Sequence, residues 1–142
     1  MRDMGDELRE LTRDECLDRV RAGRIGRVAV THRALPAILP VNYVFDHGVV
    51  FRTRTGSMLD SACRGSVVAF EIDDLAEDGT AGWSVLIVGV ADALEGSERL
   101  RAITLGLSSA LGDTTDHFVR VSLGTMTGRQ ISRPVIGVAR NA

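Results

Sequence analysis

Residues 51–60 read Phe-Arg-Thr-Arg-Thr-Gly-Ser-Met-Leu-Asp, and their types and spacing suggest chemistry more directly than any other stretch. On an extended Phe51–Thr55, Arg52 and Arg54 share one face while Phe51 and Thr53 share the other, so two cations leave the strand together. Gly56 then allows an unusual turn, and Ser57 is placed to cap a helix that Gly65 would end. A helix start offers unpaired N–H groups and positive partial charge, which favour an anion, and arginine adds charge-assisted bonds of about 1.5–3 kcal/mol each. The chemistry implied is phosphate binding. The same residues fit equally a solvated strand end whose arginines pair with Asp60 or Glu71.

Composition narrows the remaining classes. All 17 basic residues are arginine. Without lysine there is no Schiff-base chemistry with pyridoxal phosphate and no P-loop. Gly82-Trp83-Ser84-Val85-Leu86 lacks the second glycine of a nucleophile elbow. His32, His47 and His117 have no metal-ligand spacing, and Cys16 and Cys63 are too isolated for a zinc site or a disulfide framework. A net charge of −2 with no basic block argues against nucleic acid. No window is apolar enough to span a membrane, and the charged start does not resemble a signal peptide, so a cytoplasmic location is expected.

The elements that must position these residues follow from periodicity. Thr12 and Glu15 form a capping box that opens a helix over 12–23, with Leu17 and Val20 on one face. From Arg24 the character turns to short β-rich runs over 24–32, 36–45 and 48–53, with Asp46-His47-Gly48 as a hairpin link. A further strand is expected over 66–73. The run 83–94 is apolar on both faces, as a strand buried on both sides would be. Ser97 is expected to cap a helix with Leu100, Ile103 and Leu107 on one stripe and Gly112 beyond its end. Residues 117–123 and 127–131 read as the last strands. The chain reads as a single domain, 1–142, with loose tails at 1–11 and 134–142.

Strands without regular crossover helices do not make a doubly wound sheet; an antiparallel barrel removes the exposed edges instead. Pro40, which cannot donate to the ladder, marks an edge or rim in the second strand. The fold class expected is mainly β with a few short helices.

Over residues 12–131 the order of motifs resembles the pyridoxamine 5'-phosphate oxidase-related family of flavin-binding split β-barrels. The resemblance is carried by ECLDRVRAGRIGRVAV, LPAILPVNYVFDHGVVFRTRTGSML, VAFEIDD, GWSVLIVGVA and TGR. It implies a homodimer with FMN or a deazaflavin in clefts between subunits. By matching position, Pro40, Val41, Asn42 and Tyr43 would lie along the flavin ring. Arg52, Thr53, Gly56 and Ser57 would hold the phosphate, while Trp83 and Ser84 would line the same cleft and Arg129 would come from the partner chain. Where the family has a lysine after the phosphate turn, this chain has Met58. Loss of that contact would cost on the order of 2 kcal/mol unless Arg54 compensates.

The function implied is an FMN-dependent oxidoreductase that moves hydride or electrons between a reduced nicotinamide and a small-molecule acceptor. No catalytic residue is identified; Tyr43 and His117 are candidate proton donors, with core and surface placements as their competing roles. The alternatives are a deazaflavin-dependent reductase and, of a different class, a non-catalytic flavin- or haem-binding dimer acting as sensor or carrier.

Overall fold

Alternating burial produces strands in every region where it was expected, and the computed structural model describes residues 7–107 and 116–132. The tail expected at 134–142 and the helix stop expected at Gly112 lie outside those residues. In chain order the elements are β1 (Glu7–Glu10), α1 (Arg13–Ala22), β2 (Ile25–His32), β3 (Leu35–Phe45), β4 (Val49–Thr53), α2 (Met58–Cys63), β5 (Ser66–Leu75), β6 (Ala81–Ala93), α3 (Gly96–Ala102), β7 (His117–Val121) and β8 (Thr125–Ser132). The 1–11 segment expected to be loose contains β1, which pairs with β8.

Every pairing is antiparallel, and β6–β5–β2–β3–β4–β7 closes back on β6 as a six-stranded barrel, with β8 and β1 continuing from β6. The barrel expected from the sequence is thus the one observed. β6 makes this possible by changing partner along its length. Ala81–Val88 pair with β8, whereas Ala91–Ala93 pair with β7. At the changeover the Ser122 N–H donates to the Val90 carbonyl and the Val90 N–H donates to Ser122 Oγ. Gly89 lies under that crossing, where a Cβ would collide with the Ser122 carbonyl oxygen.

Inward-facing Val28, Val30, Tyr43, Phe51, Phe70, Val85, Ile87, Val119 and Val121 fill the barrel. A smaller cluster of Val50, Leu94, Ala102 and Phe118 sits beneath α3, so β4 buries apolar side chains on both faces. The reading of β6 as buried on both sides holds for one face only. Val85 and Ile87 are inside, but Leu86 and Val90 are 42% and 39% exposed.

The ends of α1 behave as the sequence indicated: Thr12 and Glu15 make the capping box, and the Gly23 N–H donates to the Val20 carbonyl. The cap of α3 does not. Its N-cap is Glu95, with no side-chain bond, and Ser97 lies inside the helix, directly after Gly96, whose φ of 61 is left-handed. After α3 the chain widens into a π-helical turn, Ile103–Leu107, kinked at Gly106 (φ 86). No helix among the described residues is long and apolar enough to cross a membrane.

The crossing at Gly89 gives a direct test of barrel closure. Gly89→Ala should lower unfolding free energy by about 2 kcal/mol or more in denaturant titration, because the obstacle is backbone that closes the sheet. Unchanged stability would mean that β7 and β8 do not cross there.

Candidate functional site

β4 divides two kinds of chemistry between its faces. Arg52 points outward and Thr53 inward, since successive strand residues alternate. The Arg52 Nε–H donates to the Asp116 carboxylate, 3.1 Å away. Its Nη1 is buried without a hydrogen-bond partner among the described residues, and such an orphaned donor costs about 1–3 kcal/mol until something accepts from it.

Two cavities meet at Arg52. The smaller, about 240 Å³, is lined by Pro40, Val41, Asn42, Arg52, Leu59 and Leu107. The larger, about 630 Å³, shares Asn42, Arg52 and Leu107 and adds Arg21, Arg24 and Tyr43. The structure therefore places the 40–43 strand and Arg52 together at these cavities. Pro36 and Pro40 sit where β3 has β2 as its only strand neighbour among the described residues, because its pairing with β4 is confined to Tyr43–Phe45. That open edge accommodates the absent proline N–H.

Tyr43 contributes little more than wall. Its hydroxyl donates to the Val20 carbonyl at 2.6 Å, and burial pushes its pKa up to about 12. It fastens the C-terminal turn of α1 to β3.

Thr53, Gly56 and Ser57 also converge, but on a carboxylate of the chain itself. The Thr53 hydroxyl donates to Asp60 Oδ1 at 2.8 Å and the Gly56 N–H to Oδ2 at 3.1 Å, while Ser57 Oγ accepts from the Asp60 N–H. Arg64 Nε and His117 Nδ1 approach the same Oδ1 at 3.0 and 2.7 Å. Burial raises the Asp60 pKa, but the hydrogen bonds from His117, Thr53 and Gly56 outweigh it and hold the carboxyl below its ordinary value. The turn read as a phosphate cradle is thus organised around an internal anion. Neither arginine of the opening stretch pairs with Asp60 or Glu71; those carboxylates are taken by Arg64 and Arg27.

Arg54 does not align with Arg52, since β4 ends at Thr53 and the alternation stops one residue short. Met58 begins α2 and packs against the barrel core, an inward role that a lysine would not fill. Trp83 packs against the same core, with the Arg19 guanidinium 4.9 Å from its ring centroid. Ser84, its neighbour on β6, lies opposite Arg129 on β8, and the two line a separate cavity of about 230 Å³ with Glu71 and Leu86. Within one chain, then, the Trp83, Ser84 and Arg129 set does not join the Arg52 cavities. Four strand steps separate Pro40 from Thr127 along the row Pro40, Arg27, Glu71, Leu86, Thr127, or about 19 Å.

Sequence reasoning missed Asp116, Arg21 and Arg24. Asp116 carries no motif and reaches Arg52 only through the β4–β7 pairing, whereas Arg21 and Arg24 read as the basic end of a helix.

The sequence matches the family described as pyridoxamine 5'-phosphate oxidase over residues 12–130. An uncharacterized protein of Mycobacterium tuberculosis is 36% identical over 131 residues, covering 88% of this chain and 86% of that protein. Among solved structures, an FAD-binding protein from Mycobacterium smegmatis superposes with a TM-score of 0.73 at 32% identity, covering 87% of this chain and 97% of that one. A protein of unknown function from Corynebacterium diphtheriae gives 0.72 at 32% identity, covering 86% and 96%.

The buried carboxylate sets a pH signature. A depressed pKa contributes stability above the ordinary carboxylate value of about 3.9, and that contribution is lost as pH falls through the folded value. Asp60→Asn should therefore cost about 3 kcal/mol near pH 7, and the gap from wild type should narrow below about pH 4. Denaturant titrations at pH 7 and pH 3.5 measure both; a pH-independent gap would contradict an ionised Asp60.

Proposed function

The chain belongs to the pyridoxamine 5'-phosphate oxidase family, and on that footing we propose that it binds a flavin at the Arg52 cavities and moves hydride or electrons between a reduced nicotinamide and a small-molecule acceptor. The observation that carries the reading is Arg52, whose side chain lines both cavities and whose Nη1 is a buried donor with no acceptor among the described residues. A phosphate oxygen is the acceptor that fits it best, because a charged acceptor strengthens the bond and matches the guanidinium fork. The FAD-binding protein at 32% identity supports flavin as the ligand class.

When bound, a flavin supplies a ring that accepts and returns hydride or single electrons. The chain's own residues do the rest. Asp116 holds Arg52 by Nε and leaves Nη1 to the phosphate that FMN, or a deazaflavin with the same kind of tail, would carry. Asn42 and the backbone of Pro40 and Val41 meet the polar edge of the ring, while Leu59 and Leu107 exclude water from the smaller cavity. Thr53, Gly56 and Ser57 act one step behind, through Asp60, so tail anchoring falls mainly on Arg52.

A non-catalytic flavin carrier is the second reading, and one observation favours it. Both candidate proton donors are committed, Tyr43 to the Val20 carbonyl and His117 to Asp60. Haem fits less well, since no histidine, cysteine or methionine lines either arginine cavity among the described residues.

We further propose a homodimer formed through the outward face of the barrel. Ile38 and Val67, 70% and 66% exposed, join Leu86 and Val90 across β3, β2, β5 and β6 with Ala29, Ala69 and Val88 between them. Pro40, Asn42, Ser84 and Arg129 share this outward face. An isologous contact is therefore the arrangement in which a partner's serine and arginine could reach a cleft that one chain leaves half built.

Two measurements test these readings. Arg52→Ala should weaken FMN binding more than about tenfold, followed by flavin fluorescence. Equal affinity would remove Arg52 from the site. Bleaching of the bound flavin by a reduced nicotinamide supports the enzyme, and a bound flavin it cannot reduce leaves the carrier. Separately, Leu86→Glu should convert a dimer to monomer by light scattering and weaken flavin binding with it; a monomeric wild type would overturn the shared cleft.

A further inference from the structure

The larger cavity holds more positive charge than one phosphate calls for. Arg21, Arg24 and Arg52 all line it, and among the described residues none of its lining residues is acidic. Arg52 is partly neutralised by Asp116. Among the described residues, no salt bridge engages Arg21 or Arg24.

Their position is not fully explained by helix electrostatics. A basic last turn suits the negative end of α1 and accounts for Arg19 and Arg21. Arg24 lies beyond the Gly23 cap, where its carbonyl accepts from the Tyr43 N–H and ties that stretch to β3. Arg21 is steadied from the other side, its guanidinium carbon lying 5.2 Å from the Phe45 ring centroid. Two cations thus stand on neighbouring parts of the fold at the wall of a cavity that Arg52 also lines.

We propose that Arg21 and Arg24 form a second anion subsite that takes the diphosphate of a dinucleotide, so that the flavin at Arg52 carries a nucleoside diphosphate end rather than a lone phosphate. Identifying the ligand as a flavin rests on the function proposed above; the subsite itself rests on the three arginines. Arginine suits the role because its planar fork pairs with phosphate oxygens two at a time. Gly23, between the two arginines, packs directly against Tyr43, whose hydroxyl a side chain there would strike.

The test uses ADP and AMP as ring-free probes by isothermal titration calorimetry, and FAD and FMN by flavin fluorescence. Wild type should bind ADP more tightly than AMP, and FAD more tightly than FMN, each by at least about tenfold. The double variant Arg21→Ala/Arg24→Ala should lose both preferences while keeping its FMN affinity and melting temperature. FAD and FMN bound equally by wild type, or both weakened alike by the double variant, would overturn the subsite while leaving the flavin reading intact. Arginine-dependent ADP binding with no binding of either flavin would uphold the subsite and sink the flavin reading. Binding of none of the four would overturn both.

Discussion

The structure depends on one strand serving three neighbours. β6 is paired along its length with β5, yet gives its first part to β8 and its last residues to β7. This is possible only because Gly89 lets the Ser122 backbone pass over it. Closing the barrel there determines which side of every strand is inside. It also determines that Pro40, Asn42 and Arg52 face out, toward cavities, while Tyr43, Phe51 and Thr53 face in.

The single-residue alternation of β4 separates two anion problems that the sequence presents as one. Thr53 and the turn after it stabilise a carboxylate the protein made for itself, Asp60, with donors from β4, the turn, α2 and β7. Arg52, one residue away, lines the outer cavities and keeps one buried donor without a partner among the described residues. A buried charge supplied with this many donors rigidifies its surroundings, so the corner holding Asp60 is a firm mount for the strand that presents Arg52.

Much of this was legible in the sequence because it is written in local terms. The Thr12–Glu15 capping box, the 46–48 hairpin and the Ser57 cap involve residues within a few positions of each other, and all three appear as expected. The barrel was legible because strand lengths and the absence of crossover helices leave few alternatives. What was not legible depends on partners distant in sequence. In the sequence Asp60 reads only as a partner for Arg52 or Arg54 at a solvated strand end, and its buried role depends on β7 bringing His117 to it. Leu86 and Val90 looked like core because hydrophobic alternation does not reveal whether a strand's second face is covered. Ser97 is not the cap of α3, which begins at the left-handed Gly96 behind Glu95, a backbone conformation that the serine cap signal does not reveal.

Trp83 is the chain's sole tryptophan, and its ring sits beneath Arg19 of α1, apart from the arginine cavities. Its emission is therefore a natural optical gauge of whether the first helix is seated on the barrel. A ligand entering near Arg52 would register in that signal only at a distance, by energy transfer, so seating of the helix and filling of the site can be followed as two separate colours in one sample.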